Sequence, residues 1–596
     1  MAMSRSSERA RPQSRGQARG QTRPHVLAAA LLLGAALLGA LSFGAWAWHI
    51  AGKGGRALAQ YFFARQDMWV LDGYAVALAL LAIWAWTLRT RQQTARRPAN
   101  VQALVLLLGI AAVVVLARLG RDLVFHGYSP SRDELMVEMA GTYLADGRIG
   151  WPITPDWLPY RRALQPEFYS PYGADTHWTA VYLPVHAAIR AVFVRLGDAA
   201  LAAPITLGIG LLALWQIVRR LLPNRPDAQA VTMVMALSSV QLLATAMTPY
   251  AMTSHFAFDM LWLMLVLRGG KLGHGLAAVV ALLAAGLHQW HFPLLFMAPF
   301  ILWLFARRNW GAGIFHALVC IAMMLVWARL WPMLLIHEVG APPLSDVHRT
   351  NGIIDKIESL FGRLDSWQPL LNNARLLAWN NLLLLPLAVL SLFAIPWRAL
   401  FRDPPIILPL LLAAGLGMGF ALYQGYGWGF RYMHGGIGAL ALLAGFGWSA
   451  VTRPGDRAAG RLLAGATLVS LVAGAWLLHD TERFVRGYAR SMAAIRAASA
   501  DVVLVDIRGG YYMTDLVRFN EGRLGHPAVM ALSMLSRGQL DELCATRRVA
   551  IADRTLFWPS GVHVISPVFR GSEYVQARRD YLAKIGCGKV IAPVSR

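Results

Sequence analysis

The chain has 596 residues, of which 57% are hydrophobic and only 15% charged, with 22 Trp and a net charge of +24. A soluble protein of this length would divide into domains of about 100–200 residues with amphipathic patterning. Repeated apolar runs of roughly 17–23 residues, long enough to span a bilayer, exclude that class. Most of the positive charge falls in short loops between these runs, where it sets orientation and is no sign of nucleic-acid binding.

In chain order, residues 1–25 are rich in Arg, Gln and Ser without apolar period, and read as a disordered basic tail. The run over 26–50 is too long for a signal-peptide core and reads as a retained helix. A second helix is expected over 69–87 and a third over 101–117, with Arg89, Arg91, Arg96 and Arg97 between them as a cytoplasmic marker. The N-terminus is therefore expected inside and residues 118–198 outside.

Residues 177–196 decide the remaining topology. They are apolar enough to span, but they carry His186, Arg190 and Arg195, and charges inside a span are costly unless paired or facing water. If they crossed, the basic loops at Arg219/Arg220/Arg225, Arg268/Lys271, Arg307/Arg308, Arg398/Arg402 and Arg453/Arg457/Arg461 would all fall outside. If they lie along the outer interface, all fall inside, as the positive-inside rule prefers. Further spans follow over 199–217, 229–248, 251–267, 272–288, 291–306, 312–332, 379–397, 404–423, 433–451 and 461–478. The fold class is a polytopic α-helical membrane protein with about 13 transmembrane helices, its C-terminus extracytoplasmic.

The outward loops collect the chemistry. Asp133 and Glu134 stand at the start of an amphipathic segment just outside the third helix. Adjacent acids there point to a base or an acceptor-positioning group, although Ser131-x-x-Glu134 also reads as a helix capping box. Asp259 lies nine residues before Arg268, about 13 Å above the inner end of its helix, so it sits at membrane depth. An ionisable group there is a functional candidate by default. His255, one turn earlier, is a partner for it. His288 and His291 leave a divalent metal open, though a substrate-facing role fits better; no cofactor is certain. Residues 333–378 read as a long outer loop covering the site. In the last outer connection three Gly alternate with aromatics before Arg431 and Tyr432. Arg at a helix start suits a phosphate, and a snorkelling interface Arg is the plainer alternative.

After about residue 480 the pattern changes to short apolar strands at 501–507, 528–534, 549–553, 562–566 and 589–593, with helices at 539–547 and 573–585. A small extracytoplasmic α/β domain over 480–596 is expected, without a nucleotide-binding motif. Three Cys make no disulfide framework, but Cys544 and Cys587 share this domain and are free to pair if it lies outside.

Taken together, Asp133-Glu134, Asp259, His288-x-x-His291 and Arg431-Tyr432 resemble the GT-C membrane glycosyltransferases. That superfamily includes the dolichyl-phosphate-mannose–protein mannosyltransferases and the aminoarabinose–lipid A transferases. The resemblance covers about residues 100–450; it implies a transmembrane catalytic domain over 101–479 with the first outer loop 118–198, and makes the two helices within 26–100 an N-terminal addition. It implies transfer of a sugar from a polyprenyl-phosphate donor to a lipid, glycan or protein acceptor outside the cytoplasm. Asp133, Glu134 and Asp259 would be the catalytic acids, and His255, His288, His291, Arg431 and Tyr432 would bind substrate. The chain departs from the common Lys-Pro-Pro element, having Tyr169-Ser-Pro-Tyr172 and Tyr182-Leu-Pro184, which leaves the acceptor open. The rival classes are a transporter or lipid flippase using Asp259, His255 and Arg329, and a non-catalytic assembly subunit.

Overall fold

The computed structural model describes residues 23–50, 62–87, 99–164, 169–170, 172, 176–341, 368–396, 403–419, 427–508, 512–518, 526–562 and 573–592. Each apolar segment expected to span contains helix there. Seven described helices are long and apolar enough to cross a bilayer, and Pro226–Leu237 with Val240–Ala246 makes an eighth if their 49° bend lies within one span. The chain is thus a multi-pass integral membrane protein. Gly270–Ala285, Phe292–Ala306, Leu384–Ala394 and Ile407–Gly419 are apolar but shorter. A helix of 16 residues rises only about 24 Å, less than the ~30 Å hydrocarbon core. Broken helices such as Pro226–Leu237 with Val240–Ala246 are tolerated where the freed backbone is buried in protein and finds partners. At the bend, Ser239 Oγ accepts from Leu242 N at 3.2 Å and donates to Asn380 Oδ1 at 2.6 Å.

Residues 177–196 form a strand, His177–Ala180, and an 11-residue helix, Val185–Arg195. That helix is too short to cross. Its charged residues are tied to protein instead of lipid. Arg195 donates to Ala145 O at 2.7 Å, and Arg190 lies 3.8 Å from Glu138. His186 is held between Ser254 Oγ at 2.8 Å and Pro249 O at 3.0 Å, and burial pushes its imidazole down to about 4.

The expected outer loop 333–378 differs from expectation at both ends. The preceding helix continues through a π turn, Val326–Leu330, to Val339, and Gln368–Ala378 is helical. The stretch between them lies outside the described residues. The last span also runs on. Helix Arg457–Arg496 has 40 residues, about 60 Å, starting where Asp456 Oδ1 accepts from Ala458 N and Ala459 N at 3.0 and 3.2 Å. Its C-terminal half packs on protein, burying Phe484, Tyr488 and Met492.

Helices Pro24–Ile50 and Met68–Thr87 pack against each other and are locked to the rest by a buried ion pair. Asp67 lies in a π turn, Phe63–Asp67, preceding the second helix. It takes Arg375 Nε at 2.7 Å and Trp379 Nε1 at 2.7 Å, with both charged side chains fully buried.

The C-terminal segment carries a four-stranded parallel sheet, Ala528–Ala531, Val502–Val505, Val549–Ala552 and Lys589–Val590 in spatial order. Helices Arg537–Thr546 and Glu573–Lys584 match expectation within a few residues, and Arg554–Ser560 is an unexpected third. The strand expected at 562–566 lies outside the described residues beyond Val562. One sheet face shares a core with helix Arg132–Ala145: Val502, Leu504 and Met530 pack with Leu135, Met136 and Met139. Arg132 pairs with Asp515 at 3.1 Å, and Arg518 donates to Ser129 O at 2.9 Å.

Cys544 and Cys587 form a disulfide with Cα atoms 5.9 Å apart, and Cys320 is the free thiol. Thiol labelling of the denatured chain is expected to modify one cysteine without reductant and three with it. Equal labelling under both conditions would show that the bridge does not form.

Candidate active site

Ser131 has extended backbone, and helix Arg132–Ala145 starts after it. Glu134 closes the capping box: its Oε2 accepts from Ser131 N at 2.8 Å and from Ser131 Oγ at 2.7 Å. Tyr250 OH meets Ser131 Oγ at 2.8 Å. Glu134 is fully buried, and burial pushes its carboxyl up to about 8 even though Ser131 opposes the shift. Its side chain is thus directed to the helix start. Between pH 4.5 and 8 the folded state holds a proton that the unfolded state releases, so stability falls as pH rises through that window. Glu134→Gln keeps the carbonyl acceptor and cannot ionise. It is expected to gain thermal stability relative to the parent chain on going from pH 5 to pH 8, with transfer activity retained. A pH-independent difference in melting temperature would contradict this.

Asp133, one residue earlier, points elsewhere. One oxygen is ion-paired with Arg431 Nη1 and the other accepts from Tyr182 OH. Burial alone would raise its carboxyl, but Arg431 and Tyr182 outweigh it and hold it below the usual carboxylate range. It is therefore ionised at neutral pH.

Arg431 is delivered by a strap, residues 427–430, clamped on both sides. Gln241 Nε2 donates to Phe430 O at 2.6 Å, and Gln241 Oε1 accepts from Phe430 N at 3.1 Å. Arg375 Nη2 donates to Gly427 O at 2.9 Å. Gly429 has φ +68°, and any side chain there would run into Gln241, so only glycine fits. Trp428 is buried against Phe62, Phe125 and Trp379. The guanidinium itself lies 5.1 Å from the Tyr250 ring centre and 4.9 Å from that of Tyr432, and its Nη2 donates to Tyr432 OH at 2.9 Å.

Arg431 and Tyr432 line a cavity between helices Met252–Arg268, Phe292–Ala306, Ile407–Gly419 and His434–Val451. His255 and Asp259 line it from the first of these, and Phe292 and Phe296 from the second. Tyr432 stacks on Phe292 with centroids 5.2 Å apart and planes 6° from parallel. His255 Nε2 and Asp259 Oδ1 are buried without a hydrogen-bond partner, as is His288 Nδ1 beside the cavity. Gly435 admits Asp259, because a Cβ there would collide with the carboxylate. His288 lies over Tyr182 at 4.0 Å, and His291 meets Phe292 at 4.7 Å. Among the described residues no group of three or more His, Cys, Asp or Glu is arranged to hold a metal ion. Arg329 is exposed and does not line this cavity.

Six of the eight sequence-derived candidates, Asp133, Asp259, His255, His288, Arg431 and Tyr432, thus gather around one cavity or its immediate wall, with His291 at its edge. Glu134 faces the helix cap. Sequence reasoning missed Tyr250, Gln241 and the Asp67–Arg375 pair. Tyr182 was noted only as part of a departure from a motif.

No family model matches the sequence, and no curated protein matches it. Among solved structures, the chain is similar to ArnT from Cupriavidus metallidurans bound to undecaprenyl phosphate, at 13% identity over 83% of this chain and 90% of that one, with a TM-score of 0.46. It is also similar to ArnT from the same organism in the apo state, at 14% identity over 70% of this chain and 85% of that one, with a TM-score of 0.45.

Proposed function

We propose that the chain is a GT-C-type glycosyltransferase that moves a sugar from a polyprenyl-phosphate carrier to an extracytoplasmic lipid, glycan or protein acceptor. The observation that carries this reading is the meeting of an ionised, buried Asp133 with Arg431 beside a cavity that has unpartnered His255 and Asp259 in its wall. A phosphate suits Arg431, which presents a fork of donors on an aromatic bed. Sugar hydroxyls suit His255 Nε2 and Asp259 Oδ1, which are buried polar atoms in need of partners. The apolar residues Phe296, Ala413 and Met433 suit the first isoprene units.

In the reaction, Asp133 takes the acceptor hydroxyl proton as the oxygen attacks the anomeric carbon. The bond from that carbon to the phosphate oxygen breaks, and the lipid phosphate leaves with the added charge. Arg431 stabilises that charge. Inversion at the anomeric carbon follows from the resemblance. Asp259 and His255 bind the sugar ring, and Glu134 keeps the helix start in place.

The same reading puts the N-terminal tail in the cytoplasm and the site, with residues 480–596, outside, facing the periplasm if the source is bacterial. A C-terminal reporter that works only outside the cytoplasm is expected to be active. A well-expressed but silent fusion would overturn the orientation. The test of function is mass spectrometry of envelope lipids, glycans and proteins with and without the chain. A sugar lost from one acceptor supports transfer. Substrate movement across the membrane without any lost sugar would favour a transporter.

A further inference from the structure

Arg431 is already taken. Its Nη1 is paired with Asp133, the side chains being 5% and 10% exposed, and the other Asp133 oxygen holds the Tyr182 hydroxyl. The group read above as the phosphate holder and the group read as the base are each other's partner. A phosphate on Arg431 would place its oxygens beside the Asp133 carboxylate, in a protein-lined site where like charges are poorly screened. The two anions compete for one guanidinium.

The surroundings decide which partner moves. Arg431 lies against the rings of Tyr250 and Tyr432, is bonded to Tyr432 OH at 2.9 Å, and follows a strap clamped by Gln241. The backbone at Asp133 is also fixed. Arg132 on one side is anchored to Asp515 of the C-terminal segment, and Glu134 on the other is closed onto Ser131. What remains free to swing is the Asp133 side chain. Its second partner, Tyr182, stays in place because the ring lies over His288 at 4.0 Å.

We propose that Asp133 is a latch on Arg431 that the donor phosphate displaces, so that binding of the donor is what releases the base. This rests on the assignment of Arg431 to the donor phosphate. Once displaced, the carboxylate keeps the Tyr182 hydroxyl but loses the guanidinium, which makes it a stronger proton acceptor. Without donor, the carboxylate stays ion-paired with Arg431 and the acceptor meets no free base. Donor therefore binds before acceptor.

The test is binding of undecaprenyl phosphate to the purified full-length chain in detergent, with undecaprenol as the uncharged control. Asp133→Asn and Asp133→Ser, two neutral replacements of different shape, are expected to bind undecaprenyl phosphate about ten-fold tighter or more, because a competing anion is gone. Asp133→Glu keeps the charge and is expected to show no gain. Arg431→Ala is expected to lose the preference for the phosphate over undecaprenol. Unchanged or weaker binding by both neutral variants, with the preference still lost in Arg431→Ala, would overturn the latch and leave the phosphate assignment standing. An equal gain for undecaprenol would overturn it too, since the carboxylate acts on charge alone. No preference for the phosphate in any variant would remove the assignment and the latch together.

Discussion

Asp133→Asn is expected to lower the rate of sugar transfer by about 10²–10⁴-fold, the usual loss when a general base is removed. The replacement keeps the size of the side chain, and its one amide oxygen can accept from Arg431 while its amide N–H donates to the Tyr182 oxygen. The helix start does not depend on it, because Ser131 and Glu134 close the cap between themselves. A folded protein with a failed chemical step is therefore the expected phenotype. The measurement is single-turnover transfer from a polyprenyl-phosphate sugar at saturating donor, where tighter donor binding cannot mask the chemical loss. Near-parental transfer by a well-folded variant would remove Asp133 as the base. A transporter has no reason to show a loss confined to bond making, so the same experiment separates the two classes.

Asp67→Ala is expected to destabilise the protein by about 3–5 kcal/mol, the cost of leaving one partner of a buried ion pair alone. Arg375 would keep Gly427 O, but its Nε and Trp379 Nε1 would lose their acceptor in a site without solvent. The double variant Asp67→Leu/Arg375→Met removes both charges and is expected to recover most of that stability, since replacing a buried pair by apolar residues is often neutral. The pair also connects the first two helices to the strap that presents Arg431. The double variant is therefore expected to fold yet bind undecaprenyl phosphate less well, because Gly427 O has lost its donor and the strap its anchor. Thermal unfolding in detergent gives the first result and lipid binding the second. An Asp67→Ala variant as stable as the parent would show that the pair contributes nothing.

Much of this protein was legible in one dimension because the bilayer imposes one-dimensional rules. Apolar length marked the membrane helices, and basic loops argued that residues 177–196 do not cross. The 11-residue helix Val185–Arg195 agrees with that reading. The candidate residues were legible for the same reason: Asp259 and His255 stand out against an apolar run, and Arg431 against an aromatic loop. Other properties depend on groups far apart in sequence and were decided only by tertiary structure. Asp133 and Glu134 are neighbours in the chain, yet successive helical side chains point apart. One meets Arg431, 298 residues away, and the other turns back to its own cap. Asp67 carries no signal in the sequence, because its partner Arg375 lies 308 residues later. The C-terminal strands read as a separate domain because strand pattern reports burial but not the burying partner. That partner includes the helix carrying Asp133. Sequence alone determined which residues were too polar for their surroundings. Folding decided which of them meet, because pairing in a low-dielectric interior is set by three-dimensional proximity, on which spacing along the chain is silent.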